Sequence, residues 1–186
     1  MKYFQKIAEG VDVMPLAHAV IRQPELFNAN RFRTTFPNTP HGEVDDILIR
    51  FSDTEKCPTT GQVIGDENLI WHPAYYKLPE IRPLLLAVMN RVGAYALDRV
   101  LISRLRPGRQ VKPHADNDGS YVHEVGRARY HLALQGLPGS NYTTGDETVC
   151  MRTGELWWFA ALEVHSVQNN SADDRIHLLI DVRIAP

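Results

Sequence analysis

DRIHLLIDVRI, residues 174–184, alternates with period two: Arg175, His177 and Leu179 share one face, and Ile176, Leu178 and Ile180 share the other. Both faces are apolar but for one arginine and one histidine, so the strand is expected to be buried between neighbours. A buried guanidinium needs a partner. On that face the sequence offers only Asp181, further along. A ligand carboxylate gripped bidentately would also meet the need. Outward from this strand the same texture fills the chain from residue 98. DRVLISRLRPG (98–108) reads as a strand closed by a Pro-Gly turn, and RARYHLALQG (127–136) as an alternating strand. ETVCMRTGELWWFA (147–160) reads as two short strands about a Thr-Gly turn, and VHSVQN (164–169) as another short strand. Closely spaced short strands predict a sandwich or barrel of the jelly-roll kind.

The first half reads differently. Residues 15–28 suggest a helix or helical turn with Leu16, Val20, Ile21 and Leu26 apolar. NRFRTTFPNTPHG (30–42) is broken by Pro37, Pro40 and Gly42 and reads as loop. DDILIRF (45–51) reads as a strand with Ile47, Ile49 and Phe51 on one face, and residues 52–68 as an excursion. LPEIRPLLLAVMNRVGAYAL (78–97) is the best helix, with Ile81, Leu84, Leu85, Val88, Val92 and Tyr95 at spacings of three and four and Pro79 near its start. The expectation is an α+β, mainly β protein. A single domain spans 1–186, with a helical N-terminal cap portion (1–97) packed on a jelly-roll core (98–186).

Composition narrows the class. The chain has 186 residues, 44% hydrophobic and 23% charged, which is ordinary for one globular domain with a full core. A net charge of -2 gives no reason to expect nucleic-acid or anionic-membrane binding. Cys57 and Cys150 form no CxxC pattern, so neither a disulfide framework nor a zinc cluster is expected. Reduced thiols and the charged N-terminal MKYFQKIAEGVDVMP suggest a cytoplasmic location. The longest apolar run, Leu84 to Met89, is too short to span a bilayer.

KPHADND (112–118) carries the chemistry. In a strand His114 and Asp116 would point to the same side, placing an imidazole and a carboxylate together. That is either a hydrogen-bonded surface pair or two-thirds of a metal site. Two imidazoles and one carboxylate on one face of an octahedron leave three positions open, the arrangement of non-haem Fe(II) oxygenases. The third ligand has four candidates, His123, His131, His165 and His177. His165, behind the hairpin GELWWFAALEV and several strands from His114, is the strongest by spacing.

An H-x-D, a distal His and an Arg ten residues later resemble the Fe(II)/2-oxoglutarate-dependent dioxygenases, and more narrowly the aspartyl/asparaginyl β-hydroxylase family. The likeness rests on SRLRPGRQVKPHAD (103–116), RARYHLAL (127–134), GELWWF (154–159) and HSVQNNSADDRIHLLIDV (165–182), and covers roughly residues 98–184. It implies a double-stranded β-helix with iron held by His114, Asp116 and His165. By the same resemblance Arg175 would pair with the distal carboxylate of 2-oxoglutarate, with Ser103 and His131 adding hydrogen bonds. Arg129, and less directly Arg127, would meet a substrate carboxylate. Some animal members lack the carboxylate ligand; Asp116 gives this chain the fuller triad. The implied reaction consumes O2 and 2-oxoglutarate, releases succinate and CO2, and hydroxylates an amino acid, an Asp- or Asn-like side chain of a peptide, or another small carboxylate-bearing molecule. Partners would be a small-molecule or peptide substrate, with no nucleic acid and no membrane. The alternatives are a metal-cupin enzyme that does not use 2-oxoglutarate, or a jelly roll that binds a small acid without catalysis. Residues 1–70 carry no motif. His41, Trp71, His72, Tyr75 and Tyr76 read as a packed cap more readily than as a polar-aromatic pocket wall, and Trp157 and Trp158 as core and rim aromatics.

Overall fold

The structure, a computed structural model, describes residues 1–59, 62–63, 68–116 and 126–185. Among these residues the strands form two antiparallel sheets. The larger runs in the order β1 (Phe4–Ala8), β9 (Leu156–Phe159), β6 (Arg127–Gln135), β11 (Arg175–Ile184), β4 (Ala94–Leu105), β2 (Val44–Ser52) and β3 (Leu69–Trp71). The smaller runs β5 (Gln110–His114), β10 (His165–Asn169), β7 (Ser140–Thr144) and β8 (Glu147–Val149). β11 sits in the middle of the larger sheet between β4 and β6 and is buried along most of its length. Ile176, Leu178, Ile180 and Val182 pack into the helix-side core with Leu16 and Val20 of α1 (Met14–Ile21) and Ile81 and Leu85 of the long helix, here α4 (Ile81–Val92). The opposite face of the larger sheet gives Leu105, Ala133, Trp157 and Phe159 to a second core with Val111, Tyr142, Val149 and Val167 of the smaller sheet. Two antiparallel sheets closed over one interior, with helices on the outer face, make the mainly β, jelly-roll architecture that the strand pattern predicts, in the double-stranded β-helix form that the family resemblance implies.

Several elements depart from the sequence reading, each for a local reason. The expected helix over 15–28 ends at Ile21, and a 3₁₀ turn follows at Pro24–Leu26. Pro24 lacks a donor and disfavours helical backbone in the residue before it. The expected helix over 78–97 stops at Val92, where Gly93 takes a left-handed conformation (φ 67°) and its N–H closes on Met89 O. Tyr95, expected on the apolar helix face, therefore lies in β4 and is exposed. In β2 the pairing with β4 shifts between Leu48 and Arg50. Ile47 and Ile49 stay in the helix-side core, while Phe51 joins Leu48 and Leu101 in a separate cluster. A bulge moves every later side chain to the other face, so Phe51 does not share a face with Ile47 and Ile49.

The first half is woven into the larger sheet, since β1 pairs with β9, β2 with β4 and β3 with β2. It also carries two short helices, α2 (Phe32–Thr35) and α3 (Pro73–Lys77). No helix among the described residues is long and apolar enough to cross a membrane.

Candidate metal centre

β5 ends at His114 and β10 begins at His165, and the two are direct antiparallel partners. Their rings lie 4.3 Å apart, centroid to centroid. Asp116 sits past the end of β5, held there by its own N–H, which donates to Ala161 O at 3.0 Å. A ligand atom from each of His114, Asp116 and His165 lies within 4.8 Å of the other two. His131 and His177 do not join this group, and His123 lies outside the described residues.

The hydrogen bonds fix which atoms face the centre. His114 Nδ1 is 2.8 Å from Lys112 O, and His165 Nδ1 is 2.9 Å from Glu163 O. A carbonyl can only accept, so both Nδ1 atoms carry a proton and Nε2 is the nitrogen of each ring left to offer a lone pair. Burial above all holds the His165 pKa down to about 4, so its ring is neutral. Two imidazoles oriented by backbone carbonyls, plus one carboxylate, form a donor set suited to Fe(II) with open positions.

Asp116 has an anchor of its own. Its Oδ2 accepts from Arg129 Nη1, and Arg129 turns its Nε and Nη2 onto Asp181 at 2.6 and 2.8 Å. Burial opposes the charge on Arg129, but Asp181 and Asp116 more than offset it and raise its pKa. Burial likewise pushes the Asp116 carboxyl up, and Arg129, His165 and His114 outweigh it, leaving the pKa lowered. Asp116 is therefore a carboxylate with Oδ2 tied back and Oδ1 3.6 Å from His114 Nε2. Arg129 was expected to meet a substrate; its fork is instead spent on two protein carboxylates. The reason is register: Asp181 of β11 lies directly opposite Arg129 of β6. Arg127, the other expected substrate contact, pairs with Asp98 at 3.2 Å and does not line the pocket. Replacing Arg129 by Gln should weaken divalent-metal affinity about 10- to 100-fold, as loss of a ligand's outer partner typically does. Anaerobic calorimetry with Fe(II) measures this, and unchanged affinity would show that Asp116 needs no such support.

A pocket of about 240 Å³ opens beside the triad. Its inner wall holds Arg175, His131, Ser103 and Tyr142. Arg175 is 4% exposed. Its Nη2 meets His177 Nδ1 at 3.0 Å and its head lies 5.7 Å from the Tyr142 ring, but no carboxylate among the described residues pairs with it. Burial without a counter-charge lowers its pKa to about 10. Both ring nitrogens of His131 are buried without a hydrogen-bond partner, as is Thr144 Oγ1, on the residue that pairs with His165 in register. Burial first, then the charge of Arg175, keeps the His131 pKa well below the usual range, so the ring is neutral. Burial pushes the Tyr142 phenol up, so it stays protonated and can donate. Unpartnered polar groups around an uncompensated guanidinium suit a small carboxylate. Tyr142 was missed from the sequence. Its strand, SNYTT, alternates Ser140, Tyr142 and Thr144 inward, a pattern with too little hydrophobic contrast to stand out.

The outer wall comes from the first half: Phe32, Arg33, Phe36, His41, Phe51 and Val63, together with Arg99. Arg99 donates to Val63 O at 2.5 Å and lies over the Phe51 ring. His41 packs edge-on against His114, ring centroids 4.9 Å apart. Trp71, His72, Tyr75 and Tyr76 lie outside the pocket wall, with Trp71 stacked on Tyr75, and neither Trp157 nor Trp158 lines it.

Comparison with known proteins agrees with this geometry. No curated protein matches the chain in sequence. A 2OG-Fe(II) oxygenase-family oxidoreductase from Burkholderia pseudomallei superposes with a TM-score of 0.56 at 14% identity, over 91% of this chain and 83% of that one. A prolyl-4-hydroxylase from Pseudomonas putida superposes with a TM-score of 0.52 at 18% identity, over 98% of this chain and 92% of that one. Likeness at these identities extends to the fold. The sequence model for aspartyl/asparaginyl β-hydroxylase matches residues 65–184, a span that holds the whole inner end of the pocket, and the chain belongs to that family.

Proposed function

We propose that this protein is an Fe(II)- and 2-oxoglutarate-dependent dioxygenase that hydroxylates a small carboxylate-bearing substrate, with His114, Asp116 and His165 as the iron ligands. The observation that carries the reading is Arg175, a buried guanidinium with no carboxylate partner in the pocket that holds the His-Asp-His group. When bound, Fe(II) with 2-oxoglutarate supplies the oxidation: one atom of O2 goes into the succinate formed as CO2 leaves, and the other into the substrate C–H bond, which becomes C–OH.

The chain's own residues supply placement and exclusion of water. The Lys112 and Glu163 carbonyls hold the two imidazoles with Nε2 inward. Arg129 keeps Asp116 ionised and holds one of its oxygens aside. Arg175 neutralises and fixes the far carboxylate of the cosubstrate, and the Tyr142 hydroxyl and His131 ring meet its remaining polar atoms. Phe159 and Val167 line the pocket alongside these groups and help keep it dry.

The test is an anaerobic titration with Fe(II) and then 2-oxoglutarate, watching for the visible charge-transfer band of a keto acid chelated to iron. The band should form in the wild type and be lost in His165→Ala. Iron uptake without the band would favour a metal-cupin enzyme that does not use 2-oxoglutarate. No iron uptake would leave a small-acid-binding jelly roll.

A further inference from the structure

We infer that Arg33 grips the carboxylate of the substrate, and that the substrate carries an apolar body beside that carboxylate, seated on Phe32 and Phe36. The inference rests on the oxygenase reading above and assigns the other end of the same pocket. Four arginines line this pocket, Arg33, Arg99, Arg129 and Arg175. Arg129 is committed to Asp116 and Asp181, and Arg99 donates to the Val63 carbonyl. Arg175 belongs to the inner end with His131. Arg33 differs from all three. It forms an ion pair with the buried Asp46, nearest atoms Nε and Oδ2 at 3.3 Å, and its guanidinium makes no hydrogen bond among the described residues. Its side chain is 15% exposed and Asp46 only 1%, so the stem is fixed while the terminal fork is unused. A guanidinium beside a buried carboxylate, with its hydrogen-bonding fork unused, is ready for a planar, two-oxygen acceptor.

The surroundings give the rest of the ligand. Phe32 and Phe36 flank Arg33 in sequence and line the same wall. The charge of Arg33 acts on His41 and on Asp116, so it lies within electrostatic reach of the metal end. The segment is fastened to the strand that carries His114: Lys112 N–H donates to Pro40 O at 3.2 Å, and His41 packs against His114. A molecule anchored at Arg33 runs past His41 toward the triad. Phe32, Arg33, Phe36 and His41 all precede residue 65, where the family match begins.

The test uses protein loaded with Zn(II) and 2-oxoglutarate, so that nothing turns over. Isovalerate, phenylacetate and N-acetyl-leucine, each with its primary amide, are titrated by ligand-observed NMR, and the Kd of 2-oxoglutarate is measured in the same samples. At least one carboxylate should bind at least tenfold more tightly than its amide. Arg33→Gln should erase that preference, Arg33→Lys should restore part of it, and 2-oxoglutarate should bind all three proteins equally. Amides binding as well as acids, no acid binding the wild type, or an acid preference that survives Arg33→Gln would overturn the assignment of Arg33. Failure of 2-oxoglutarate to bind the wild type would instead overturn the oxygenase reading, with the preference at Arg33 read independently.

Discussion

Arg175→Met should lower the affinity for 2-oxoglutarate by at least a hundredfold and, in the same protein, raise the stability of the ligand-free fold. The two effects have one cause. The Arg175 head is buried without a carboxylate partner among the described residues, and its pKa is held down to about 10, well below the ordinary arginine range. That shift makes the cation less favourable in the folded protein than in water by about 3 kcal/mol. Methionine fills similar volume with no charge to desolvate, and such replacements of buried charges gain about 1–4 kcal/mol where they fit. Loss of the contact to His177 Nδ1 offsets part of this gain. A bound keto acid loses its buried counter-charge at the far end, and for a fully buried pair the loss of one partner costs about 3–5 kcal/mol, a hundredfold or more in Kd. Urea unfolding of the apoprotein reads the first effect and an anaerobic 2-oxoglutarate titration the second. A variant that is less stable and binds the keto acid normally would mean that Arg175 is a structural residue.

Acidification from pH 7 to pH 5.5 should remove about 5 kcal/mol from the stability of the metal-free protein, an amount comparable with the whole stability of many domains. His41, His131, His165 and His177 all have pKa values lowered, in each case by burial first. Each is neutral when folded and free to take a proton near pH 6.5 when the chain unfolds. The folded state thus binds fewer protons, so this stability is full above pH 6.5 and falls as the pH drops below it. Each histidine contributes about 1.2 kcal/mol over that interval. Carboxylates with lowered pKa values, such as Asp116 and Glu155, lose their contribution only in a more acid window. Asp46, raised by burial, acts the other way as it gains a proton. Denaturant midpoints across this range should give an average slope of about two to three protons, and His177→Asn should remove roughly 0.6 of a proton from it. A wild-type slope of one proton or fewer would show that these rings are not held neutral.

The sequence disclosed the inner end of the site better than the outer. His114, Asp116, His165 and Arg175 could be singled out because metal-ligand chemistry and buried charge restrict residue type and spacing together. The central strands could be read because β4, β6 and β11 alternate over nine residues or more. β1, β3 and β5 are five residues or fewer, and β7 alternates polar side chains, so neither length nor contrast marked them. The partner of Arg129 was hidden for another reason. Alternation puts Asp181 on the face of Arg175, but only the pairing of β6 with β11 sets it opposite Arg129. The outer wall was illegible because Phe32, Arg33, Phe36 and His41 sit in a Pro-rich stretch with no periodicity. Their meeting at the pocket depends on tertiary contacts.

The bulge in β2 gives this wall an unusual freedom to vary. In an unbroken strand, residues 47, 49 and 51 would answer to the same packing constraint. With the phase shifted after Leu48, Ile47 and Ile49 answer to the helix layer, while Leu48 and Phe51 answer to the cluster beside the cavity. Substitutions at positions 48 and 51 can therefore accumulate under selection for a different substrate without disturbing how the sheet seats its helices. The histidines of the His-Asp-His group sit on β5 and β10, in the other sheet. Drift in specificity and conservation of chemistry are carried by separate strands of one small fold.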